Sequence, residues 1–285
     1  MQSIASQFLG LKRDYDRDGV PLVEVREIVS YCIELLFSST SIESYGILDD
    51  KEYVVFTSGE NKSRPVRKSI FYPSPEIFQN QWDLLVKELS RGDLNLELKS
   101  DDINATLYTA IMSFSACFDI WKSKSRKTPG TFFEIILGSL LTLVLPDHKR
   151  GKHIALPSFG EQVTTDIVFD NGSSGLAIPV KITTRERVVQ PYAQQRILDS
   201  VFGVGRYKSV LLCVSETQRD DTKKGVNNIC VPGTLKLYQA HLSSLSGLYY
   251  LDPPLRYLNP DVTDLVPVGD YGDFFKYELK KLLSS

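Results

Sequence analysis

The chain has 285 residues, 42% hydrophobic and 24% charged, with a formal net charge of −2. That composition excludes disordered and disulfide-stapled classes and leaves room for one large domain or two smaller ones. The longest apolar stretch, IILGSLLTLVLP, is too short to cross a bilayer, and MQSIASQFLGLKRDYDRDG lacks the apolar centre of a signal peptide, so a cytoplasmic protein with no membrane partner is expected.

The first hundred residues read mainly as helix. VPLVEVREIVSYCIELLF places Leu22, Val25, Ile28, Val29, Cys32, Ile33, Leu35 and Leu36 on one helical stripe. EYVVFTS and SIFYP read as strands. SPEIFQNQWDLLVKELSRG opens with Pro75 and Glu76 and stops at Gly92, as a helix should. SDDINATLYTAIMSFSACFDIWKSK is a further helix, with Ser100 or Asp101 as its expected cap. TPGTFFEIILGSLLTLVLP follows, bounded by Pro129-Gly130 and Pro146.

The pattern then changes. TTDIVF, GLAIPVKI and SVLLCVS read as strands, with VQPYAQQRILDSVFG as a helix between the second and third. NNICVP reads as another strand and KLYQAHLSSL as a helix. The Tyr- and Pro-rich GLYYLDPPLRYLNPD reads as core packing and a stiff loop. The alternation predicts an α/β layer with a mixed sheet behind a helix-rich front.

Two features invite metal chemistry and do not sustain it. Asp14, Asp16, Asp18 and Gly19 match the start of a calcium loop, but Val25 stands where a bidentate Glu is needed. A solvated acidic turn is the better reading. Cys32, Cys117, Cys213 and Cys230 show no paired spacing, and His148, His153 and His241 are equally dispersed, so zinc is not expected.

Charge is unevenly spread. Residues 121–215 hold 13 Lys and Arg against 7 Asp and Glu, while the remainder has 20 against 28. Inside the basic segment lies TTDIVFDNGSSGLAIPVKITTRER, two apolar runs around a Gly-Ser turn, with Asp166 on the first and Lys181 ending the second. Adjacent strands would bring these two charges together, at a desolvation cost that needs compensation. A divalent ion and a substrate phosphate would supply it: carboxylates hold Mg2+, while a lysine orients water and offsets charge on the phosphorane. The second acid would be Glu134, alone in the apolar GTFFEIILGSLL, although a first-turn Glu favoured by the helix dipole explains it as well.

Glu134 on a helix, Asp166 on a strand and PVKITTRER on the next resemble the PD-(D/E)XK restriction endonucleases. The V-K-x-T-x-R-E-R wording is closest to the EcoRII-type subgroup. The resemblance covers about residues 130–200. It implies a restriction-endonuclease-like mixed sheet flanked by helices and a type II enzyme cutting double-stranded DNA at a short sequence with Mg2+, usually as a dimer. It divides the chain into a helix-rich recognition or dimerisation region, 1–105, and a nuclease core with a C-terminal extension, 106–285.

Asp166, Glu134 and the Val180 carbonyl are then the expected metal ligands, and Lys181 acts on water and phosphate. Pro179 replaces the family's (D/E), and Gln194 stands where the subgroup carries a Glu thirteen residues after the lysine. Thr183, Thr184, Arg185, Arg187, Gln190 and Gln194 are the expected DNA contacts, with Arg suited to guanine and Gln to adenine. A palindromic target calls for a homodimer, and an asymmetric one for a different second subunit. A repair or junction-resolving nuclease on the same core, or a catalytically degenerate DNA-binding subunit, remains the alternative.

Overall fold

The computed structural model describes residues 2–92, 94–122, 125, 127–157, 160–184 and 188–284. Helices α1 (Gln2–Tyr15) and α2 (Leu22–Ser39) lead into a small antiparallel sheet of β1 (Ser41–Leu48), β2 (Lys51–Ser58), β3 (Asn61–Lys62) and β4 (Val66–Arg67). SIFYP is not a strand: it begins inside a 3-10 turn, Lys68–Ile70. Next come α3 (Pro75–Leu89), α4 (Ser100–Trp121) and α5 (Thr128–Val144). Neither Ser100 nor Asp101 caps α4; Lys99 holds that position, and Asp101 and Asp102 face the helix dipole from the first turn instead.

The main sheet has seven strands: β5 (Lys149–Leu156), β6 (Glu161–Asp170), β7 (Gly175–Ile178), β8 (Val180–Lys181), β9 (Tyr207–Ser215), β12 (Gly247–Asp252) and β13 (Val268–Asp270). β5, β6 and β7 run antiparallel in turn, whereas β7, β8 and β12 pair parallel with β9. Helix α6 (Val189–Phe202) crosses between β8 and β9. The hairpin β10 (Thr217–Asp220) and β11 (Gly225–Asn228) and helix α7 (Pro232–His241) separate β9 from β12. NNICVP thus contributes only its first two residues to a strand. The Tyr-rich stretch begins as β12, buried along its whole length.

Alternation along the central strands shows a sheet covered on both faces, as parallel pairing requires. Val210, Leu212 and Val214 of β9 pack with α4 and α5, while Leu211 and Cys213 pack with Tyr192 and Leu235 of α6 and α7. Helix α4 is buried all round, which explains why its sequence shows no polar face. Its Ser100 start puts the residue 105–106 line inside the helix, and residues of α1, α2, α4 and α5 share one hydrophobic cluster with β6, β9 and β12.

Polar ties fix the front sheet to this core. Arg64 grips Asp119 of α4 in a fork, Nε–Oδ2 2.7 Å and Nη2–Oδ1 2.8 Å. At the end of β12, Asp252 is 2% exposed and accepts bonds from Tyr53 Oη (2.6 Å), Lys51 Nζ (2.8 Å) and Arg67 Nη1 (3.1 Å). The acidic turn after α1 is fastened as well, because Arg150 Nη2 donates to the Tyr15 and Gly19 carbonyls.

Removing the Asp252 carboxylate strands two cations and a tyrosine hydroxyl that are only partly solvated. Asp252→Ala is expected to lower unfolding free energy by about 2–4 kcal/mol, and Tyr53→Phe by about 1 kcal/mol, in urea titrations of the metal-free protein. An Asp252→Ala midpoint equal to wild type would mean that these bonds do not hold the front sheet in place.

Candidate active site

The β6–β7 ladder runs from Asp170↔Gly175 to Ile167↔Ile178, across the Gly-Ser turn expected from the sequence. The next residues in register would be Asp166 and Pro179; the Pro179 carbonyl faces β9, so the N–H that proline lacks is one toward β9 rather than toward β6. The ladder ends there. The Pro179 carbonyl still accepts from Leu212 N at 2.9 Å, so parallel pairing to β9 continues into Val180↔Leu212 and Lys181↔Cys213. The Asp166 carboxylate takes over where the ladder stops: its Oδ2 accepts Val180 N at 2.7 Å and Lys181 Nζ at 2.7 Å. Both bonds fall on one oxygen. The two side chains are 26% and 20% exposed, so the pair is partly open to solvent.

The other side of Asp166 is irregular too. Gly151 pairs with Val168 and His153 with Thr164, so residues 165–167 of β6 face the single residue Lys152. Such a bulge bends a strand and re-aims its side chains. Lys152 Nζ reaches Glu134 Oε2 at 3.2 Å. His153 Nδ1 lies 3.0 Å from Thr164 Oγ1.

Glu134 is the seventh residue of α5, a helix with no acid in its first turn, so the dipole explanation of this residue does not hold. Burial pushes its carboxyl above the ordinary range, and the charge of Asp166 pushes it further; Lys152 and Lys181 pull it back in part. Glu134, Asp166 and Lys181 therefore lie within electrostatic reach of one another. Helix α5 is braced by α1: any side chain at Gly138 would overlap the Tyr15 hydroxyl, and the Tyr15 ring lies 4.0 Å below the Arg150 guanidinium.

Two carboxylates converging on a partly buried site, one with an oxygen that accepts no hydrogen bond from the described residues, make a donor set suited to a small oxygen-seeking divalent cation. They do not by themselves form a group of three acids, histidines or cysteines, and among the described residues no such group is present. Gln194 on α6 donates from Nε2 to the Thr164 carbonyl at 2.6 Å, two residues before Asp166, so its amide lies against the same strand. Val180 is buried beneath the site.

The remaining expected contacts divide. Thr183 is half-buried and Gln190 exposed at the start of α6. Thr184 is buried, with its hydroxyl and N–H both directed to Glu216, so it faces the protein. Arg185 and Arg187 lie outside the described residues. Sequence reasoning missed Lys152 and Glu216. A glycine beside a lysine in a strand, as at 151–152, is the signal for a bulge that could have found the first.

Among solved structures, the Type IIP restriction endonuclease Kpn2I matches 100% of this chain and 99% of its own, with a TM-score of 0.90 and 39% sequence identity. The restriction endonuclease PspGI, solved with its substrate DNA, aligns over 74% of this chain and 93% of its own, with a TM-score of 0.43 and 15% identity. No family model matches the chain, and no curated protein matches it.

The raised Glu134 carboxyl sets a pH dependence. An acid that ionises less readily in the folded state contributes most stability below its unfolded pKa and loses it as pH rises through the folded value. Glu134→Gln, which stays neutral, is expected to melt above wild type at pH 7 without metal. That gap should close below about pH 4, where an unfolded Glu is itself protonated. Identical melting temperatures from pH 4 to 8 would show that the Glu134 charge is fully compensated.

Proposed function

This chain belongs to the type II restriction endonucleases, and on that premise we propose that it cuts double-stranded DNA with Mg2+ at the Glu134–Asp166–Lys181 cluster. The observation that carries the assignment is the 2.7 Å contact of Lys181 with Asp166 at the strand break, with Glu134 close enough to feel both charges. A divalent cation, when bound, polarises the scissile phosphate and lowers the pKa of its water. Asp166 and Glu134 would hold it, with the Val180 carbonyl as a further oxygen donor.

Lys181 then has two tasks. Its ammonium donates to the attacking water and faces the negative charge that grows on the phosphorane. Its Asp166 contact and the pairing of β8 with β9 hold it in place before substrate arrives. Thr183, Arg185, Arg187 and Gln190 follow on the chain and form the proposed DNA-reading segment, whose wording favours a place near the EcoRII-type subgroup. The N-terminal 1–105 region contributes recognition or dimerisation surface to the 106–285 nuclease core. A palindromic site would be met by a two-fold pair of chains. The four cysteines, all free and buried, suit a cytoplasmic enzyme.

A second reading, a degenerate DNA-binding subunit, has one observation in its favour: position 194 carries an amide anchored to the Thr164 carbonyl. Cleavage of a long mixed-sequence DNA separates the two. Wild type is expected to yield discrete bands with Mg2+ and none with EDTA. Asp166→Ala and Lys181→Ala should each lose about 10²- to 10⁴-fold in rate. Gln194→Glu should bring no gain, because its carboxylate would face a carbonyl oxygen. Intact DNA with wild type, and cutting restored by Gln194→Glu, would establish the degenerate subunit instead.

A further inference from the structure

The bulge places Lys152 where no ladder partner claims it, opposite three residues of β6 centred on Asp166. Its side chain bridges back to Glu134 and remains 40% exposed, twice as open as Lys181 at 20%. The cluster therefore holds two carboxylates and two ammonium groups. Without any other ion those four charges cancel, in the pairs Lys181–Asp166 and Lys152–Glu134.

That balance changes when the carboxylates turn to a divalent cation. The four side chains and the cation together carry a surplus of two positive charges, which an anionic substrate must meet. Lys181 remains tied to the strand-break carboxylate. Lys152 sits at the rim on an edge strand, with a flexible stem and, among the described residues, Glu134 as its side-chain partner. An ammonium on such a stem is a compact point charge suited to a phosphate oxygen.

We propose that Lys152 is a DNA-contacting residue of this site, one that neutralises Glu134 in the DNA-free protein and binds a backbone phosphate beside the scissile bond when substrate is held. This rests on the Glu134–Asp166–Lys181 reading of the active site. Lys152 exchanges one anion for another, so Glu134 stays compensated before the substrate arrives and the phosphate is met by a cation already in place. The contact is to backbone and carries no sequence information.

Salt dependence of DNA binding tests it without relying on turnover. Wild type, Lys152→Met and Lys152→Arg are titrated with a duplex containing the cleavage site at several KCl concentrations, once with Ca2+ and once with EDTA. Each phosphate contact contributes about 0.9 to the slope of log K against log salt. With Ca2+, Lys152→Met should lose about one contact from that slope and bind several-fold more weakly, while Lys152→Arg keeps the slope. With EDTA the three proteins should share one slope, because residue 152 is then engaged with Glu134.

Equal slopes for wild type and Lys152→Met in Ca2+ would overturn the proposal and leave Lys152 as a partner of Glu134 alone. A slope difference of the same size in EDTA would overturn the exchange between anions. Lys152 is partly exposed, so the variants should fold; Lys152→Gln with a matched melting curve serves as the second neutral variant. Failure of wild type to cut in Mg2+ would strike the active-site reading itself, which a normal cutter with an unaltered Lys152→Met slope would not.

Discussion

Where the β6–β7 ladder ends, the Val180 N–H is given to the Asp166 carboxylate, and the placing of that acid depends on this bond. The antiparallel ladder between β6 and β7 stops at Ile167↔Ile178, and the Asp166 carboxylate accepts the next available N–H, from Val180. A carboxylate leaving water needs such partners, since an uncompensated ion in a protein interior costs several kcal/mol. Val180 supplies a fixed one and Lys181 a charged one. The residue that the family resemblance would make a metal-binding acid is here a proline, whose carbonyl is held by Leu212 N of β9, while its two successors supply the bonds to Asp166.

The strand break would be a weak point if the chain beyond it were loose. It is held along β9 by Leu212 N to the Pro179 carbonyl (2.9 Å), then by Ser215 N to the Ile182 carbonyl (3.2 Å), and finally by Glu216. The Glu216 carboxylate is wholly buried and accepts the Thr184 N–H, the Thr184 hydroxyl and the Tyr250 hydroxyl. β9 itself is buried on both faces. Lys181 therefore projects from a segment anchored before and after it, which suits the catalytic role proposed for it, since such a group should meet a transition state without rearrangement.

The strongest periodic signals were legible in the sequence. The apolar runs of α2, α4, α5 and β9 fixed those elements because burial leaves little choice of residue. Asp166, Lys181 and Glu134 stood out as charges in apolar settings, and the structure brings them within reach of one another. What was not legible depended on partners distant in sequence. KRGKHIAL carries too many charges to read as a strand until one sees that β5 is an edge, with Arg150 half-buried against the α1–α2 turn and Lys152 turned toward Glu134. Thr184 looked like a DNA contact beside the lysine and instead meets Glu216, thirty-two positions later. SIFYP had strand composition, but Lys68–Ile70 is a 3-10 turn that carries the chain from β4 toward α3.

The same distinction applies to charge. The basic balance of residues 121–215 looked like a broad footprint for a polyanion, but several of its cations are committed inside the fold. Arg150 serves turn carbonyls, Arg206 pairs with Asp170 at 2.8 Å, and Lys208 donates to the Leu282 carbonyl at 2.5 Å. Burial, which pushes the Lys208 ammonium below its ordinary range, marks that residue as structural. Lys152 and Lys181 differ in kind, since each rests on a carboxylate that a cation would engage. On the proposed reading, a substrate phosphate at this place would meet ammonium groups whose present partners could be shared with a metal. The positive charge that matters to the proposed site is therefore the pair of carboxylate-bound ammonium groups, Lys152 and Lys181, rather than the whole basic segment, and charge concentrated in this way raises the local potential more than charge spread along a chain.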